Sequence, residues 1–169
     1  MNHISLENVK QTVKVIIENP KMAMTKWSAQ VHWKDGVQNA AIIRDFAPIM
    51  MDEPEMLGGT NTAPNPVEYL LAAAGSCFAI TFEVLTSEHG ITLENVEVDV
   101  EANLDASVFL GLHDGEGGIL NPIIKLKTDT DAPKEQIEEI ARAAFLKSPV
   151  LASLKPELEL TIEKVTGKN

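Results

Sequence analysis

Cys77 is the only cysteine among 169 residues, and its thiol is the strongest candidate nucleophile in the chain. A thiol reacts as the thiolate, which requires a nearby cation, a helix N-terminus or hydrogen-bond donors. Without them, a cysteine in an apolar helix is a small hydrophobe. Glu68, in the same stretch "NPVEYLLAAAGSCFAITFEVL", is the acidic group that invites pairing with it. His3, His32, His89 and His113 show no ligand spacing with one another or with Cys77, so neither a metal nor a cofactor is expected. "HDGEGG", with Asp114 and Glu116, lacks the length and carboxylate pattern of a calcium loop and reads as a turn.

The thiol must be positioned by a helix whose ends are written in the sequence. Asn65 can cap it, Pro66 stands where a missing N–H costs nothing, and Glu68 is placed to return its carboxylate to the cap. His89-Gly90 supplies the stop, which makes a helix of roughly two dozen residues, ~35 Å long. From Tyr69 to Phe82 the residues are apolar or small all round, as in a helix surrounded by protein. The run from Ala72 to Ser76 admits a close second backbone, and a dimer partner is the expected cover. Cys77 is about three turns in, beyond the range of the helix dipole, so any activation comes from elsewhere in the fold. Glu68 lies ~13 Å of rise away and half a turn round. It can serve a Cys77 site only from another subunit; the other reading is that it simply completes the capping box.

Around this helix the pattern is mixed. Leu6, Val9, Val13, Ile16 and Ile17 recur at helical spacing behind Ser5, which gives an N-terminal helical extension over residues 1–20, followed by one domain over 21–169. "AMTKWSAQVHW", the turn "KDG" and "VQNAAIIRDF" predict a hairpin beginning at Met22. Residues 47–66, dense in Pro, Gly and Asn, have no period and read as a long loop of the kind that carries function. Its Asp52 and Glu53 suit steering of a cationic group, or equally capping, a turn or solvation, and Gly58-Gly59 suits a loop folded over a pocket. Met50 and Met51 are adaptable hydrophobes. A strand "VEVDVEANLD", a strand "IIKLKTDT", a helix opened by Pro133 and a last strand "ELELTIEKV" complete the order. Segregated strands with two principal helices indicate an α+β fold.

Composition narrows the class. The 14 basic and 25 acidic residues give a formal charge of -11, which disfavours nucleic acid and anionic membranes as partners. No uninterrupted run reaches the ~20 apolar residues of a membrane span, and the N-terminus lacks the pattern of a signal peptide. A single cysteine cannot close an internal disulfide, so a cytoplasmic location fits best.

"LGGTNTAPNPVEYLLAAAGSCFAITFEVL" resembles the core motif of the OsmC/Ohr family, a Gly-Gly loop leading into Asn-Pro, a glutamate, an Ala-rich helix and a reactive cysteine. "FLKSPVLASLKPELELTI" resembles that family's second motif, and the resemblance spans roughly residues 22–166. It implies an intertwined homodimer of antiparallel sheets around long central helices, with active sites at the subunit interface. It also implies reduction of organic hydroperoxides, in which the first cysteine becomes a sulfenic acid, the second condenses with it and a thiol donor resets the disulfide.

Carried over position by position, Cys77 matches the attacking cysteine. Ser148 stands in place of the resolving cysteine, so no intrachain disulfide can form and an external thiol must resolve the intermediate. The family's glutamate falls at Val67, one residue before Glu68. Its arginine falls at Asn39, five residues before Arg44, which a shifted hairpin register would bring in. The implied catalytic set is therefore Cys77, Glu68 and Arg44. The competing function is a non-catalytic dimer that binds a small hydrophobic ligand and uses Cys77 as packing. The purely structural alternative is an interaction partner with no pocket function.

Overall fold

The computed structural model describes residues 2–154 and 159–164. The chain forms two compact units, one of residues 7–70 and one of residues 1–6 and 71–169.

The helix α1 spans Leu6–Glu18 and lies, apart from its first residue, in the 7–70 unit. A short 3-10 turn, Pro20–Ala23, follows it. Strands β1 (Gln30–Asp35), β2 (Gln38–Ile42) and β3 (Ile49–Met51) form an antiparallel sheet in that order. Gly36 and Val37 make the hairpin turn, with Gly36 at φ +50°. The strand expected from Met22 begins only at Gln30. A strand needs ladder partners, and β2 is long enough to pair only residues 30–35. The expected loop 47–66 contains β3, whose three residues are too few to show a period, and a 3-10 turn at Glu55–Leu57.

The other unit is built on the part of α2 (Pro66–Glu88) from Leu71 onward, which carries Cys77. Strands β4 (Asn95–Leu104) and β5 (Ile119–Asp129) pair antiparallel. The last strand, β6 (Glu159–Lys164), runs parallel to β5. The sheets are thus not purely antiparallel. The helices α4 (Lys134–Lys147) and α5 (Pro149–Ala152) lie between β5 and β6 and carry the chain back to the starting end of the sheet, which is the connection a parallel pair requires. Another short helix, α3 (Ala106–Phe109), begins the expected turn region. Its cap is Asp105, whose carboxylate accepts from the Ser107 N–H and hydroxyl.

Alternation along β5 buries Pro122, Ile124, Leu126 and Thr128 on one face. Ala74, Phe78, Phe82 and Leu85 of α2 and Ile137, Ile140, Ala141 and Ala144 of α4 close the core over that face. Each buried Phe contributes about 1.5–3 kcal/mol of apolar transfer. A Cβ on Gly75 would stand 2.9 Å from Val100 Cγ2, so this glycine sets how closely α2 approaches β4. At the far end of α2, Asn2 ties the N-terminus to the unit: its amide donates to Ser87 Oγ and the Ile91 carbonyl and accepts from the Leu93 N–H.

By length and composition α2 is apolar enough to cross a membrane, contrary to the count of uninterrupted apolar residues, which Glu68 and Glu83 break. Its Ala74–Phe78–Phe82–Leu85 face is nonetheless spent on the protein's own core.

Candidate functional site

The capping box forms as the residue types require: the Glu68 N–H donates to Asn65 Oδ1 at 2.9 Å, and the Asn65 N–H donates to Glu68 Oε2 at 2.8 Å. With Pro66 at the first position, α2 starts where Asn65 places it, and Gly90 at φ +74° ends it. Glu68 is exposed.

Twelve residues into this helix, Cys77 is half-buried and free. Its neighbours Ala74, Gly75 and Phe78 are buried, whereas Ala73, Ser76 and Ile80, on the other side of the helix, are exposed. Cys77 therefore lies on the border of an apolar stripe that its own unit does not cover. Its carbonyl accepts from Thr81 Oγ1 at 2.8 Å, and among the described residues its sulfur has no hydrogen-bond donor.

Arg44 lies just beyond β2 with φ +50°, an uncommon backbone state for a side chain of this size. Its guanidinium stacks over Phe46 at 4.6 Å and, among the described residues, forms no ion pair. Arg44 and Glu68, which share the 7–70 unit, are thus not paired with each other. Asn39, at the arginine position by the ungapped alignment, sits in β2 opposite Trp33 and Met51.

Asp52, one of the two candidate steering charges, is 1% exposed and faces inward. Its carboxylate accepts from the N–H groups of Glu53, Thr60 and Thr62 and from the hydroxyls of Thr60 and Thr62, at 2.6–3.1 Å. The Thr60 hydroxyl and these N–H groups hold its carboxyl well below the usual carboxylate range. The sign follows: the ionised form is favoured in the folded loop, so this contribution is complete above pH ~4 and is lost as the pH falls through the lowered pKa. The only sequence signal for this was an aspartate with threonines eight and ten residues on. Gly58 takes φ +84°, and at Gly59 the backbone passes so close to Glu53 that a Cβ would overlap the Glu53 carbonyl oxygen at 1.8 Å.

Ser148, between α4 and α5, is 0% exposed. Its Oγ is the buried side-chain polar atom that has no hydrogen-bond partner among the described residues, and it caps neither helix. An orphaned buried hydroxyl carries an unreturned desolvation cost. Ser148→Ala is therefore expected to leave stability unchanged or raise it by about 1 kcal/mol. Urea unfolding checks this; a loss of similar size would mean that the hydroxyl has a partner.

Among the described residues no group of histidine, cysteine, aspartate and glutamate is placed to hold a metal ion.

A family model described as OsmC-like protein matches residues 59–163. No curated protein sequence matches the chain. Solved structures share the fold. An OsmC-like protein from Mycoplasma pneumoniae superposes with a TM-score of 0.70 at 16% identity, covering 84% of this chain and 97% of that one. An organic hydroperoxide resistance protein OsmC from Legionella pneumophila gives 0.60 at 19% identity, covering 83% and 97%. The organic hydroperoxide resistance protein OhrB of Bacillus subtilis gives 0.54 at 21%, covering 82% and 98%.

Proposed function

Since the chain belongs to the OsmC-like protein family, we propose that it is a thiol protein that reduces organic hydroperoxides through Cys77, working as a homodimer with an external thiol as resolver. The observation that carries this reading is the place of Cys77 on α2. The helix turns its large hydrophobes Phe78 and Phe82 into its own core and leaves the thiol half-buried beside exposed Ala73, Ser76 and Ile80. A cysteine needed only for packing belongs on the Phe78 side. The small residues beside it admit a second α2, and a partner seated there would enclose the thiol in an apolar cleft suited to the organic part of a hydroperoxide.

The chemistry then runs in three balanced steps. The Cys77 thiolate attacks the distal peroxide oxygen, the O–O bond breaks, and protonation of the leaving alkoxide releases an alcohol, with Cys77 oxidised to the sulfenic acid. A thiol donor condenses with the sulfenic acid, releasing water and leaving a mixed disulfide. A second donor thiol attacks that disulfide, returning Cys77 and releasing the oxidised donor. Ser148 cannot form a disulfide, which is why both thiols come from outside the chain. In this reading Arg44, free of carboxylate partners among the described residues, supplies the cation for the thiolate. Glu68, with one oxygen on the cap, presents the other to the partner subunit's site.

Stopped-flow mixing of the reduced protein with cumene hydroperoxide tests the proposal. The expected result is loss of the thiol at least about a hundredfold faster than for free cysteine; a rate equal to that of free cysteine removes the peroxidase reading. The hydrophobic-ligand reading has its own support in the lack of a hydrogen-bond donor at the Cys77 sulfur. It requires Cys77→Ser to bind the same ligand as the parent.

A further inference from the structure

The most heavily hydrogen-bonded charge among the described side chains is not at the thiol but at Asp52, and its partners lead to Glu68. Strand β3 is held in register by β2 through the pairs Asn39–Met51, Ala40–Met50 and Ala41–Ile49. Asp52 follows directly. Its carboxylate gathers the returning loop through Thr60 and Thr62, and Gln38 of β2 donates to both threonine hydroxyls, at 2.8 and 3.1 Å. The same strand holds the helix that comes next. The Asp52 N–H donates to the Pro64 carbonyl at 3.4 Å, immediately before the capping box, and Tyr69 Oη donates to the Met50 carbonyl at 2.8 Å, immediately after Glu68. Residues 64–69 are therefore held on both sides by residues 50–52.

Among the described residues no lysine or arginine is paired with Asp52. All its compensation comes from N–H and O–H donors, three of them backbone amides that cannot reverse. An aspartate and an asparagine are consequently not equivalent here. Whichever way an asparagine amide is turned, its NH2 faces a backbone N–H, that of Glu53 or those of Thr60 and Thr62. A loop needing only a polar turn residue would not require a buried carboxylate.

We infer that Asp52 is the positioning residue of Glu68: its carboxylate fastens residues 53–62 to β3 and thereby sets the register in which the first turn of α2 presents the Glu68 carboxylate. This rests on the proposed hydroperoxide chemistry for its effect on rate, though not for its effect on the capping box. Sub-ångström to ångström placement of such a group changes rates by one to two powers of ten.

The test measures both effects on the full-length protein. Hydrogen exchange reads the Asn65 and Glu68 amides in the parent, Asp52→Asn and the milder Thr62→Val. Stopped-flow oxidation by cumene hydroperoxide reads the thiol in these, in Glu68→Gln, and in the pairs of each loop variant with Glu68→Gln. Protection of both amides is expected to fall by on the order of tenfold in Asp52→Asn and by less in Thr62→Val. Oxidation is expected to slow by on the order of tenfold in Asp52→Asn, with no further slowing when Glu68 is already glutamine. Unchanged protection in both loop variants overturns the inference, and so does an equal slowing with and without Glu68. If Asp52→Asn does not fold, Thr62→Val, which keeps every backbone donor, decides on the same criteria. A parent thiol no faster than free cysteine, with protection lost as expected, removes the peroxidase reading and leaves the positioning of Glu68 standing.

Discussion

Cys77→Ser is expected to lower the rate of hydroperoxide reduction by at least about a thousandfold while leaving the fold in place. A hydroxyl at this position has the wrong pKa and the wrong nucleophilicity to attack a peroxide oxygen. No other sulfhydryl exists in the chain to take over. Cys77 is half-buried and its sulfur has no hydrogen-bond partner among the described residues, so exchanging sulfur for oxygen is expected to cost no more than about 1 kcal/mol of stability. The two effects separate cleanly: peroxide consumption with an excess of a dithiol donor reports the chemistry, and thermal unfolding reports the fold. Activity retained in the serine variant would show that the peroxide is consumed elsewhere, and the Cys77 assignment would fall. Loss of activity together with a large loss of stability would instead mark the sulfur as a core group.

Gly59→Ala is the substitution expected to damage the fold most. Its Cβ would meet the Glu53 carbonyl oxygen at 1.8 Å and the Glu53 carbonyl carbon at 2.4 Å. Both are backbone atoms, so the conflict cannot be relieved by turning a side chain. The same carbonyl accepts from the Asn61 N–H, and the Gly59 N–H donates to the Pro54 carbonyl, so moving either strand of the loop breaks hydrogen bonds. A loss of about 3 kcal/mol or more is expected, at the upper end of single substitutions. Gly58→Ala is the informative comparison, because a Cβ there meets nothing within 4 Å and the strain comes only from φ +84°. It is expected to cost about 1–2 kcal/mol. Urea unfolding of the pair checks the ranking; equal losses would mean that the loop is loose enough to move away from Glu53.

These two glycines show how far sequence reading reaches. The pair signalled a loop of unusual backbone geometry, and Gly58 fits that reading. The requirement for glycine at position 59 has a different origin: its neighbour is a carbonyl six residues back, and that approach exists only once Asp52 has drawn the loop inward. Asp52 itself was legible as a charge and not as a buried one, since burial of a carboxylate depends on donors supplied by Thr60, Thr62 and Gln38 after folding. The expected hairpin was right in kind and wrong in extent, because alternation marks a residue's suitability for a strand while pairing decides where the strand begins.

What the sequence determined by itself is local: the start of α2 at Asn65, Pro66 and Glu68, its end at Gly90, the alternation of β4 and β5, and the single thiol. Each depends on residues within four positions or on a strict period. The tertiary structure alone decided that β6 lies parallel to β5, that the Ser148 hydroxyl is enclosed without a partner, that Asp52 holds the loop before α2, and that Cys77 stands at the edge of the core. Those outcomes depend on which surfaces meet. The spacing along one helix does not say which side of Cys77 will be covered.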